Sequence, residues 1–211
     1  RARLAIYFSN LEVNLREVAL RDKPKEMLAI SPKGTVPVLQ INKLVLEESM
    51  DIVLWALEIN DSQNLLNPYK KEKIKTLELI EIFDKDFKFN LDRYKYASRY
   101  NFKDNNANKM KYRSLAMEYL LLLEKSFEKD FFYIKSNKIS ILDICIFPLV
   151  RQYRIADPYW FDNQEKIPFT RRWLKGLLDS VFFKKIMFKY KEWKFSNESY
   201  LFKKDILYNF K

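Results

Sequence analysis

The stretch Ser31-Pro32-Lys33-Gly34-Thr35-Val36-Pro37-Val38-Leu39-Gln40-Ile41-Asn42-Lys43-Leu44-Val45-Leu46-Glu47-Glu48-Ser49-Met50-Asp51-Ile52 decides the fold. Two short apolar runs, Val36 to Ile41 and Leu44 to Leu46, flank Asn42-Lys43, and Glu47-Glu48-Ser49 then opens an apolar pattern at helical spacing. The order is strand, turn, strand, helix. Pro37 has no N–H to give to a ladder, so it takes the first position of its strand or a special bend. Val36 before it is held extended, and the bond between them is a candidate for the cis form. An extended residue at such a bend can turn its N–H and C=O outward, where a peptide-like ligand would pair with them as an added strand. Ser49 is placed to cap the following helix. Helical N–H groups and the positive end of the helix dipole then face the same region, which suits a carboxylate, while Glu48 beside it suits an amine.

Ser-Pro-Lys-Gly-Thr-Val-Pro-Val-Leu followed by Leu-Glu-Glu-Ser-Met-Asp-Ile resembles the glutathione-binding half of the cytosolic glutathione transferases, nearest the omega-like bacterial members. In that family the Val-Pro bond is cis, the Val backbone pairs with the cysteinyl unit of glutathione, and the Glu-Ser pair binds the γ-glutamyl end. The resemblance puts these roles on Val36, Pro37, Glu48 and Ser49. Lys23-Pro24 matches an omega position whose lysine approaches the glycyl carboxylate, which gives that role to Lys23. The implied fold is α+β: a thioredoxin-like glutathione-binding domain over residues 1–62, incomplete at its start, followed by an all-helical C-terminal domain over 70–211.

Composition removes whole reaction classes. The chain of 211 residues has no histidine, one cysteine and two glycines, Gly34 and Gly176. Ser-His-Asp triads, His-ligated metals and a structural zinc site are excluded, and neither a Walker loop nor a dinucleotide fingerprint can be written. No metal is expected. A 48% apolar composition supports a buried core. There is no run of about 18 apolar residues and no secretory leader, and a single cysteine forms no internal disulfide, so the reading is a cytoplasmic protein without a membrane partner. The net charge of +11 is spread along the chain with acids interleaved, as at Lys71-Glu72-Lys73 and Asp84-Lys85-Asp86. That pattern reads as solvated helix faces and not as a nucleic-acid site.

Elsewhere, Leu4, Tyr7, Phe8 and Leu11 recur at helical spacing in the opening segment, Val13 to Leu20 alternates as a half-buried strand, and Pro24 starts a short helix over Lys25 to Ile30. Residues 60–70 read as a linker, and everything beyond reads as helix. Glu72 to about Ser98 is expected as one long amphipathic helix, and Met110 to Phe127 as another, with Leu115, Tyr119, Leu122 and Leu123 on its buried face. Ser140-Ile141-Leu142-Asp143 before an apolar run is a capping box. Ser-x-x-Asp before such a helix also resembles the core of the transferase C-terminal domain, although Ser136 stands where that family usually has glycine.

Cys145, between Ile144 and Ile146, reads as a small core residue with a raised pKa and not as a nucleophile. Tyr94, Tyr96, Tyr100, Tyr153 and Tyr159 fit either a hydrophobic substrate pocket or packing between elements, and the tail from Lys191 to Lys211 fits either a docked segment or a disordered end. In the omega-like family a Cys-Pro-Tyr-Ala type motif lies just before the equivalent of Arg-Ala-Arg-Leu-Ala. The catalytic residue and the first strand are therefore expected upstream of Arg1. The implied function is a glutathione-dependent transferase or thiol reductase acting on small electrophilic or disulfide substrates, with glutathione as co-substrate and a homodimeric assembly. The alternative is a non-catalytic binding or regulatory protein of the same fold.

Overall fold

The computed structural model describes residues 1–100 and 104–204. Contacts divide the chain into two compact units, Arg1–Asn64 together with the segment from Ser180 on, and Leu65–Asp179. The break at Asn64 falls inside the expected linker. The segment from Ser180 groups with the first unit, whereas the sequence reading placed all of 70–211 in the helical domain.

The first unit opens with α1 (Ala2–Phe8), which buries Leu4 to Phe8, and β1 (Val13–Leu15). Next come α2 (Lys25–Ile30), β2 (Leu39–Ile41), β3 (Leu44–Leu46) and α3 (Ser49–Ile59). β2 and β3 form the expected hairpin, with Leu39 opposite Leu46 and Ile41 opposite Leu44. Its two-residue turn needs a left-handed backbone, and Asn42 supplies it at φ 54°, a conformation asparagine tolerates better than most residues. α3 turns Ile52, Val53, Ala56 and Leu57 into the core, packed against α1. β1 is shorter than the expected Val13 to Leu20 run, although its alternation of exposure survives.

The second unit contains α4 (Asn67–Lys71) and α5 (Lys73–Ile82). A π turn at Phe83–Phe87 leads into α6 (Lys88–Lys95), and a 3-10 turn follows at Ala97–Arg99. The single long helix expected from Glu72 is thus interrupted, and Ile74, expected on its buried face, is 73% exposed. α7 (Asn105–Glu124) is capped by Asp104, whose carboxylate accepts from the N–H groups of Asn106 and Ala107. Its buried stripe is Ala116, Met117, Leu120 and Leu123; Leu115 and Leu122 are exposed. Leu115, Tyr119 and Leu122 each give way to the next residue on the buried face, while Leu123 is buried as expected.

α8 (Ile141–Ala156) begins with the expected capping box, and α9 (Pro158–Asp162) and α10 (Pro168–Asp179) follow. Glu124, at the end of α7, caps α10 from outside: it accepts from the N–H groups of Phe169 and Thr170 at 2.8 Å and from the Thr170 hydroxyl at 2.6 Å. Cys145 is fully buried on α8. No helix among the described residues is long and apolar enough to cross a membrane.

The remainder of the first unit is α11 (Val181–Ile186), α12 (Trp193–Ser196) and β4 (Tyr200–Phe202). β4 corrects the expectation that everything after the linker is helical. It pairs antiparallel with β1, with Val13 opposite Phe202 and Leu15 opposite Tyr200. Trp193 donates its backbone N–H to Glu17 O at 2.8 Å and lies under the Arg16 guanidinium, 4.6 Å from its ring centroid. Lys203 pairs with Glu12 at 3.0 Å. The tail is docked as far as Lys204; residues 205–211 lie outside the described residues, as do residues 101–103.

Candidate functional site

α2 ends at Ser31, whose N–H donates to Met27 O, and Gly34 closes the next turn with a 2.9 Å bond to Ser31 O. Gly34 sits at φ +59°, and a Cβ there would meet Leu28 Cδ2 at 3.0 Å, Lys23 Cδ at 3.3 Å and Lys23 Nζ at 3.4 Å. The left-handed backbone favours glycine there, and a larger residue would also press on the Leu28 and Lys23 side chains. The Lys23 side chain passes beside the same turn, which leads to Val36.

Val36 is 45% exposed, and the Val36–Pro37 bond is cis. β2 starts only at Leu39, so Pro37 stands before the ladder, where its missing N–H costs no strand bond. After the hairpin returns, Glu47 and Glu48 come back to the loop they left. Ser31 Oγ donates to Glu47 Oε1 at 2.6 Å, and Lys33 Nζ to Glu48 Oε1 at 3.2 Å.

Ser49 is the first residue of α3 and not its cap. Glu48 takes the N-cap position with an extended backbone, φ −105° and ψ 139°, and makes no side-chain cap bond, since its carboxylate is turned to Lys33. The first helical bond is Ile52 N–H to Glu48 O, so Ser49 lies in the turn whose N–H groups have no carbonyl within a helix. All five expected residues belong to the first unit. Lys23, Val36 and Pro37 border the loop, and Glu48 and Ser49 are tied to it through Lys33 and through Ser31–Glu47.

The charges complement one another. Lys33 is held above its ordinary pKa by its hydrogen bond to Glu48, then by the charges of Glu48, Glu47 and Asp51. An amine arriving at the start of α3 meets the same carboxylates, while an anion meets Lys23 and the positive end of the helix. The arrangement suits an extended, zwitterionic peptide-like molecule. Sequence reading passed over Ser31, Lys33, Gly34 and Glu47. Of these, only Gly34 carried a signal, as one of two glycines in a chain that uses almost none.

The tyrosines do not form one wall. Tyr94 and Tyr153 are core residues of the helical unit, ring centroids 5.2 Å apart, whereas Tyr159 is 83% exposed. Tyr96 lies beneath the Arg99 guanidinium, 4.1 Å from its ring centroid.

Residues 1–64 match the family model described as the glutathione S-transferase N-terminal domain. No curated protein matches. Among solved structures, the chain resembles a glutathione transferase family member from Pseudomonas fluorescens, solved with two glutathione bound. The identity is 17%, the TM-score 0.72, and the match covers 88% of this chain and 86% of that one. It also resembles the Tau class glutathione S-transferase of mango, Mangifera indica, at 22% identity, TM-score 0.71, and 89% and 86% coverage. A third is glutathione transferase Omega 3C from Trametes versicolor, at 15% identity, TM-score 0.66, and 84% and 78% coverage.

The fold is that of the glutathione transferases. In glutathione transferase terms the hairpin and α3 belong to the thioredoxin-like N-terminal domain, and α4 to α10 to the helical domain that follows it. The loop from Ser31 to Pro37 and the start of α3 fall within the matched residues.

Proposed function

We propose that the chain is a glutathione-dependent transferase or thiol reductase of the glutathione transferase family, nearest its omega-like bacterial members, acting on small electrophiles or disulfides. The observation that carries the reading is the tie between the Val36 loop and the start of α3: the Ser31–Glu47 bond holds the loop that presents Val36 beside a helix N-terminus, where Glu48 is also turned to the loop. Glutathione lies extended along Val36, with its γ-glutamyl end at Glu48 and Ser49 and its glycyl carboxylate near Lys23. Glutathione brings its own thiol to this peptide cradle. The working form is a cytoplasmic homodimer without a metal.

Calorimetry with reduced glutathione tests the site. Ser49→Ala removes a hydroxyl bond to a charged group and should weaken binding about tenfold. Unchanged affinity would count against the placement. Light scattering should give about twice the chain mass.

A further inference from the structure

A cavity of about 220 Å³ opens within the first unit, between the start of α2 and the docked tail. Lys23, Lys25 and Glu26 line it on one side, and Trp193, Lys194 and Asn197 on the other. A cavity of about 150 Å³ takes one benzene ring, so this space takes a fragment about as large as one amino-acid residue.

The tail side is fixed by contacts outside the cavity. Trp193 gives its backbone N–H to Glu17 O at 2.8 Å and carries the Arg16 guanidinium over its ring, while Lys194 is paired with Asp22. Asn197 ends α12 in the left-handed conformation, φ 53°, with its N–H on Trp193 O at 2.8 Å.

The charges around the cavity are unbalanced. Asp22 meets the Lys194 ammonium, whereas Lys23 and Lys25 have no ion-pair partner among the described residues. Glu26 is the one carboxylate among the lining residues. Two unpaired cations against one carboxylate favour an anion. Lys23 also borders the turn at Gly34, where a Cβ would lie 3.3 Å from its Cδ and 3.4 Å from its Nζ. One side chain therefore borders both the cavity and the loop that presents Val36.

We infer that this cavity continues the peptide site past the glycyl end, so that the chain takes γ-glutamyl-cysteinyl-glycyl peptides carrying one further, acidic residue. The inference rests on the glutathione reading, which brings the glycyl carboxylate to Lys23. In a longer peptide that carboxylate becomes an amide, and the next residue carries the chain end about 3.5 Å further, past Lys23 towards Lys25. Trp193 gives the added residue an apolar wall, and the unpaired ammonium groups receive its carboxylates.

Calorimetry with three peptides tests this: glutathione, glutathione extended by aspartate, and glutathione extended by lysinamide. The aspartyl peptide should bind at least as tightly as glutathione, and the lysinamide peptide more weakly than either. Lys25→Glu reverses an exposed, unpaired charge and should keep the melting temperature while lowering affinity for the aspartyl peptide about fivefold relative to glutathione. Glu26→Gln should move that ratio the other way. Lys166→Glu makes the same change of net charge on an exposed residue of the helical unit and should leave the ratio where it was. The inference is overturned, with the glutathione site left standing, if glutathione binds but the aspartyl peptide binds more weakly than glutathione or no better than the lysinamide peptide. A ratio that moves equally in Lys25→Glu and Lys166→Glu overturns it as well. If no peptide binds, the glutathione reading itself falls and this one with it.

Discussion

Ser31 and Glu47 meet at the open end of the hairpin: the hydroxyl at the end of α2 donates to the carboxylate just before α3 at 2.6 Å. Ser31 is fully buried and Glu47 half-buried, so the bond links the loop that presents Val36 to the helix that begins at Ser49.

Ser31→Ala should therefore lower stability by about 1 to 2 kcal/mol, the worth of a hydrogen bond to a charged group. Urea denaturation checks this. If glutathione binds as proposed, its affinity should fall in the same variant although Ser31 is not expected to touch it, because both walls of the site move apart.

Lys33 tests the opposite sense. Its ammonium occupies Glu48, the carboxylate assigned to the γ-glutamyl amine, and both side chains are more than half exposed, where an ion pair adds little to stability. Lys33→Ala should leave the melting temperature unchanged and tighten glutathione binding modestly, measured by calorimetry at low salt. The gain should fade as ionic strength rises and screens the pair.

Asp143 gives a pH signature. Complete burial pushes its carboxyl up to about 6, against the pull of hydrogen bonds from Ile134, Ser140 and Trp173. An unfolded aspartate titrates near ~3.9, so between those values the folded chain holds a proton that the unfolded chain has lost. The contribution of Asp143 to stability is then largest below about pH 4 and shrinks as pH rises towards 6, by up to about 3 kcal/mol. Unfolding free energies of the parent chain and Asp143→Asn, measured from pH 4 to 7, should show a difference that falls along this window and is flat above it.

Phe202 is 1% exposed and belongs to a strand that sequence reading did not foresee. Phe202→Ala should cost about 3 to 5 kcal/mol, the usual loss for emptying a buried aromatic position. A clear drop in the melting temperature would show that the docked tail is part of the cooperative unit.

The hairpin was legible because local signals agree: β-branched runs, a turn asparagine, and an acidic helix start. The capping box at Ser140 was legible for the same reason, since both partners lie within one turn. β4 was not, because Tyr-Leu-Phe shows no alternation and its partner Val13 lies at the other end of the chain. The Ser31–Glu47 bond and the cap that Glu124 gives to α10 were hidden likewise, as each joins residues that only the folded chain brings together. The buried face of α7 was misplaced at Leu115, which is exposed beside buried Ala116, because the elements packed against the helix choose its face and they lie elsewhere in the chain.

The segment between α7 and α8 has little regular structure, yet it is pinned. Ile134 donates its N–H to Asp143 at 3.0 Å, Lys135 to Ser126 O at 3.0 Å, and Arg172 reaches Phe131 O at 2.5 Å. Lys129, Lys135 and Lys138 along it are exposed and read as ready sites for trypsin. A protease must draw a stretch of chain out into its own cleft, and here that means first pulling Ile134 out of the core. Nicking at these lysines should therefore follow the opening of the α8 cap instead of the exposure of the side chains, so the cutting rate there becomes a clock for how often Asp143 lets go.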